Sequence, residues 1–178
     1  MTGVQTAVSL VAGFFCICSA AQPAPRQVAT HEVKDVVEII DSDLNRLNKG
    51  CVTLQTGTDR GGELVVYRKG ADVVRMDATI RGSNSDLQDM FYYSGTHLVF
   101  VRTKVVTYPY SSASNGFDFL SPQVKVAANY YVRDGKLVPV DHANIPPPTG
   151  SRLLQEAELF MTAFRRGDRV INIEKLLK

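Results

Sequence analysis

Three times along this chain a tyrosine-bearing stretch runs into a glycine and out again through an apolar stretch. The segments are Val66-Tyr67-Arg68-Lys69-Gly70 followed by Val73-Val74, Tyr92-Tyr93-Ser94-Gly95 followed by Leu98-Val99-Phe100-Val101, and Tyr130-Tyr131-Val132-Arg133-Asp134-Gly135 followed by Leu137-Val138. Aromatic and β-branched residues favour strands, and a glycine between two such runs supplies the positive φ of a tight turn. The recurrence therefore confines the middle of the chain to an antiparallel meander of hairpins. From Cys51 to about Val140 the apolar period is two. Val74, Met76, Ala78 and Ile80 fall on one side of a strand and Arg75, Asp77, Thr79 and Arg81 on the other. Such alternation predicts a sheet with one face packed and one face in water.

Both flanks of the meander carry a helical period instead. Val33, Val36, Val37, Ile40, Leu44 and Leu47 form one stripe, with Thr30 suited to cap the start and Lys49-Gly50 suited to the end. After the stiff Pro146-Pro147-Pro148 connector, Leu153, Leu154, Ala157, Phe160, Met161 and Phe164 form a second stripe. Thr149 or Ser151 is placed to begin this helix, Arg165-Arg166 to oppose its dipole and Gly167 to close it. The tail at Val170 to Ile173 reads equally as a short strand or a last helical turn. The expected fold is α+β: an N-terminal helix packed on an antiparallel meander of about six to seven strands, plus a C-terminal helix.

Residues 1–21 carry no charge, run through an apolar stretch from Ala7 to Phe15 and end in Ser19-Ala20-Ala21, which reads as a signal peptide cleaved near Ala21/Gln22. Residues 22–29, with two prolines, read as a flexible leader, and residues 30–178 as a single domain. Roughly 157 residues then remain, enough for one substantial core. Cys16 and Cys18 would leave with the signal, so Cys51 has no intramolecular partner. It is expected to be a buried structural thiol, with a Cys51-linked dimer as the consequence were it exposed. Export without a disulfide framework fits a bacterial periplasm, or secretion, and no stable membrane insertion is expected after cleavage. The net charge of +2 is spread among alternating signs, which argues against a nucleic-acid partner.

The residue types that carry chemistry are sparse. His31, His97 and Asp141-His142 stand apart in the sequence and read as surface histidines, and no pair of histidines or cysteines has metal-ligand spacing. Gly57-Thr58-Asp59-Arg60-Gly61-Gly62 lies between two strands and so lacks the helix dipole of a phosphate loop. Asp72, Asp77, Glu63 and Asp89 are available carboxylates with no pattern that pairs them. No catalytic residue, metal or cofactor is assigned.

The aromatic residues are the remaining signal. Adjacent tyrosines on a strand point to opposite faces, so one ring of each pair is expected to look outward, where it serves a contact platform or, as the plainer reading, packs across strands to stabilise the sheet. The Pro109–Pro122 connection is longer than the usual few residues and places Tyr110, Phe117, Phe119 and Leu120 among serines. The candidate partner-binding set is Tyr108, Tyr110, Phe117, Asp118 and Phe119 on this connection, with Tyr93 and Tyr131 on the strands. The Tyr-Tyr strand, Asp-Gly turn and Leu-Val strand together resemble those of small exported bacterial proteins of uncharacterised function, over about Val33 to Val140. The order of a helix and then several antiparallel strands also looks like a cystatin or nuclear-transport-factor-like arrangement. That resemblance carries no catalytic residue. The expected function is that of a non-enzymatic periplasmic binding or inhibitor/immunity-type protein with a protein partner in the envelope. A small-ligand carrier or envelope assembly factor, with a pocket lined by Met76, Phe100 and Phe160, is the alternative, and a hydrolase is a third.

Overall fold

The computed structural model describes residues 30–140 and 151–177. The expected signal peptide, the leader, Asp141-His142, the proline connector and Thr149 lie outside the described residues. Helix α1 (Thr30–Asp43) and a 3-10 turn (Leu44–Arg46) precede strands β1 (Asn48–Gln55), β2 (Gly62–Lys69), β3 (Asp72–Arg81), β4 (Ser85–Ser94) and β5 (His97–Thr107). Two short strands, β6 (Tyr110–Ser111) and β7 (Gly116–Phe117), then interrupt the series before β8 (Gln123–Arg133) and β9 (Lys136–Pro139). Helix α2 (Ser151–Arg166), strand β10 (Val170–Asn172) and a 3-10 turn (Glu174–Leu176) follow. The fold is α+β.

One sheet holds eight strands in the order β10-β1-β2-β3-β4-β5-β8-β9, and β6 pairs with β7 separately. Every pairing in the large sheet is antiparallel except β1 with β10, which is parallel from Thr53↔Val170 to Gln55↔Asn172. The antiparallel meander holds seven strands, within the six to seven expected, and the tail adds β10 as an eighth, which settles the ambiguity at Val170. Residue Thr53 donates its amide to Arg169 and Gln55 accepts from Ile173, so the edge of β1 satisfies its backbone there.

The three glycine turns behave as their chemistry requires. Asp134 and Gly135 both adopt positive φ, at 49° and 68°, which is the signature of the primed two-residue turn that matches strand twist. By the alternation of strand directions, all three of these turns lie at one end of the sheet. The β1–β2 turn, the β3–β4 turn and the β6–β7 ribbon lie at the other. The expected helix end at Lys49-Gly50 is corrected: α1 stops at Asp43, Leu47 is extended, and Asn48, Lys49 and Gly50 pair with Arg68, Tyr67 and Val66. Ladder hydrogen bonds to a neighbouring strand here outweigh the local cap signal. At the second helix the cap reading holds. Gly167 at φ 80° donates to Phe164 and Asp168 donates to Ala163, the two bonds of a Schellman ending.

The helices take opposite faces of the sheet. On one side Leu153, Ala157, Phe160 and Ala163 of α2 pack with Leu54, Leu64, Val66, Met76, Phe91, Tyr93, Val101 and Tyr130. On the other, Val33, Val37 and Ile40 of α1 pack with Met90, Tyr92, Val99, Phe100 and Tyr131. The expectation of one core face and one wet face is therefore corrected. A polar network ties α1 down. Asp41 accepts from Arg75 Nη1 at 2.5 Å, the Tyr92 hydroxyl at 2.9 Å and Arg102 Nη1 at 3.3 Å, while Arg75 also grips Asp77 through Nε and Nη2 at 2.5 and 2.7 Å. Burial works against the Arg75 charge, but hydrogen bonding to Asp77 and its charge outweigh burial and hold the guanidinium above its ordinary range. Burial also raises the Tyr92 hydroxyl, so that it serves as a donor to Asp41.

Candidate functional site

The ribbon is built from a connection that the sequence presents as a loop. Tyr110 pairs with Phe117 and Ser111 with Gly116, and Asn115 takes the positive φ of 49° that reverses the chain. The Tyr110 ring meets the Phe117 ring edge-on at 5.9 Å, and its hydroxyl donates to Asn115 Oδ1 at 2.5 Å. Asp118 shapes the return: its carboxylate accepts from the Leu120 amide at 3.0 Å and the Ser121 hydroxyl at 2.7 Å. These bonds, the Ser121 hydroxyl first, hold its carboxyl below the usual carboxylate range. Asp118 is thus a loop-shaping residue whose effect is to present Leu120.

The base of the ribbon is bolted to two neighbouring turns. Tyr108 donates its amide to Asn84 at 2.9 Å and its hydroxyl to Asp86 at 2.7 Å, and the bond to Asp86 raises that hydroxyl above its ordinary value. The Asp118 amide closes the base by donating to Pro109 at 2.8 Å. Arg60, from the glycine-rich β1–β2 turn, lies over the Phe119 ring at 4.2 Å and the Tyr108 ring at 5.5 Å. The same guanidinium donates to the Gly82 carbonyl at 3.0 Å and pairs with Asp86 at 3.4 Å. A guanidinium sandwiched between a carboxylate and aromatic faces is geometrically pinned as well as charged. Tyr108 and Phe119 pack edge-on at 4.8 Å beneath it.

Around this base several large apolar side chains stand in water among polar neighbours. Leu120 is 94% exposed, Val124 61%, Tyr110 59% and Phe119 46%. Large side chains left in water on a braced support are the usual anatomy of a contact patch.

Five of the seven expected contact residues, Tyr108, Tyr110, Phe117, Asp118 and Phe119, come together here. The other two do not. Tyr93 and Tyr131 are buried, at 4% and 6% exposure, beneath α2 and α1 respectively. Tyr93 donates to the Met76 sulfur at 3.9 Å and the Ala157 carbonyl at 3.5 Å, and Tyr131 packs edge-on against Phe100 at 5.7 Å. The alternation on the strand is as expected, but each face carries a helix, so neither ring of either pair looks into solvent. Arg60, which braces the Phe119 and Tyr108 rings, was not foreseen. No local pattern marks an arginine that acts on a ring 59 positions later.

The remaining candidates are dispersed. Cys51 is exposed rather than buried, because Val52 and Leu54 take the α2 side of β1 while Cys51 takes a part of the other face that α1 does not reach. His31 and His97 are exposed. Met76 and Phe160 lie on the α2 face and Phe100 on the α1 face, so these three cannot line one pocket. Among the described residues no group of three or more metal-ligating side chains occurs, and no helix is long and apolar enough to cross a membrane. Comparison with protein-family models, with curated proteins and with solved structures finds no match in any of the three.

Proposed function

We propose that this is an exported binding protein of the bacterial envelope, of inhibitor or immunity type, which engages a partner protein through the β6–β7 ribbon without catalysing a reaction. The observation that carries this reading is the contrast within the ribbon. Its base is pinned by Arg60, Asp86 and Asn84, while Leu120, Tyr110, Phe119 and Val124 stand in water. A preorganised apolar patch loses little conformational entropy on association, so its burial converts efficiently into affinity. The composition of residues 1–21 supports export, and the absence of any charge run supports a protein partner over a polyanion.

The test is capture from envelope extract by the wild-type protein and by a Tyr110→Ser/Leu120→Ser variant, with bound proteins identified by mass. Leu120→Ser removes an exposed side chain, and Tyr110→Ser gives up only the Phe117 ring contact and the Asn115 bond within the ribbon, so the fold should lose no more than about 2 kcal/mol. A protein retained by the wild type should be lost or held roughly tenfold more weakly by the variant. Equal retention by both would remove the ribbon from the interaction.

A further inference from the structure

On the α2 face, a cluster of ionisable groups sits in the core without serving the ribbon. Asp89 on β4 is 1% exposed and Glu156 on α2 is 0% exposed. One arginine serves both: Arg152 Nη1 donates to Glu156 Oε1 at 2.6 Å, and Nη2 donates to Asp89 Oδ2 at 3.2 Å. The other Asp89 oxygen accepts from the Thr103 hydroxyl on β5, whereas Glu156 Oε2 is buried with no donor facing it. Tyr130 on β8 also feels the Asp89 charge. The charged side chains that act on the two carboxyls are Arg152 and each other, and the Tyr93 hydroxyl lies close by, donating to the Ala157 carbonyl at 3.5 Å.

Two ionised carboxylates and one guanidinium would leave a net negative charge buried against the sheet, together with an acceptor that nothing satisfies. Both costs are large in a dry interior. A single proton removes them together. Placed on Glu156 Oε2, it turns the orphan acceptor into a donor toward Asp89 and leaves one carboxylate against one arginine. The position of Arg152 agrees with this balance. It lies in the first turn of α2, where the helix dipole disfavours a cation, so the attraction to the acids is what holds it there.

We infer that Asp89 and Glu156 form a buried proton-binding site, and that the proton shared between their carboxyls helps to keep the start of α2 seated on the sheet. Burial, followed by the Asp89 charge, pushes the Glu156 carboxyl up to about 8, with Arg152 opposing. Burial likewise raises Asp89 against the pull of Arg152. The folded state then holds a proton that the unfolded chain has released above its ordinary carboxyl range, so stability falls as pH rises. The fall starts above about pH 4.5 and levels off above about pH 8. Rising pH should loosen α2 first, since it is the element that carries Glu156 and Arg152.

Urea unfolding of the wild-type protein between pH 5 and 8 should show the folding equilibrium weakening by up to about tenfold per pH unit. Glu156→Gln keeps the donor and removes the titration, and it should flatten that dependence. Hydrogen exchange across α2 should quicken with pH beyond the intrinsic chemical increase in the wild type and not in the variant. An identical pH slope in the two proteins would overturn the proposal. Should the variant not fold, carbon-13 NMR of the wild-type carboxyls decides independently. A Glu156 midpoint well above the ordinary carboxyl range supports the site, and a midpoint near 4.5 ends it.

Discussion

Arginine decides more of this molecule than its modest share of the chain suggests, and it does so through partners distant in sequence. Arg75 joins Asp41, 34 residues earlier, to Asp77, and Arg152 reaches Asp89 across 63 residues. Replacing Arg75 by Met should destabilise the fold by about 2 kcal/mol in urea unfolding at neutral pH. That is less than the roughly 3–5 kcal/mol of a fully buried pair, because Asp41 and Asp77 keep some water contact. A loss below about 0.5 kcal/mol would show that the network does not anchor α1. None of these pairings was legible in the sequence. Alternation places Arg75 on the outward side of its strand, and that is the side it takes. What periodicity could not report is that α1 would land on that side and bury it. Cys51 shows the reverse case: the residue type favours burial, yet its side of β1 is left uncovered.

At the scale of the elements, local chemistry was a better guide. The hairpin turns, the course of β2 to β5, and the Gly167 ending of α2 all follow from residues within a few positions of one another. Two glycines separate a real turn signal from a false one. Gly135 has φ 68°, so Gly135→Ala should cost about 1 kcal/mol of stability through left-handed strain. Gly50 lies in β1 without positive φ, and an added Cβ there meets nothing within 4 Å. Gly50→Ala should therefore be neutral or slightly stabilising in thermal unfolding, and equal losses at the two positions would contradict this assignment. The length and aromatic content of the Pro109–Pro122 connection were legible. Its internal β6–β7 pairing was not, because two-residue strands carry no measurable period.

The whole molecule is a sheet with a separate apolar cluster on each face, each closed by its own helix. Substitutions confined to opposite clusters share no partners. Ile40→Val on α1 and Phe160→Leu on α2, the latter against Phe91 at 5.8 Å, should each cost about 1 kcal/mol. Their effects should add to within about 0.5 kcal/mol in the double variant, and a larger coupling would mean that the sheet transmits packing strain between its faces. The amino-acid order by itself determined the meander, the two amphipathic helices, the turns and the site of the aromatic ribbon, since each is written in the spacing of near neighbours. Only the tertiary structure decided that the helices take opposite faces, that the tail adds a parallel edge strand, and that the paired tyrosines are framework rather than surface. It also brought Arg60 over Phe119 and set Glu156 beside Asp89. The reason is that apolar spacing records which side of an element will be covered, while the identity of the cover depends on contacts between segments tens of residues apart.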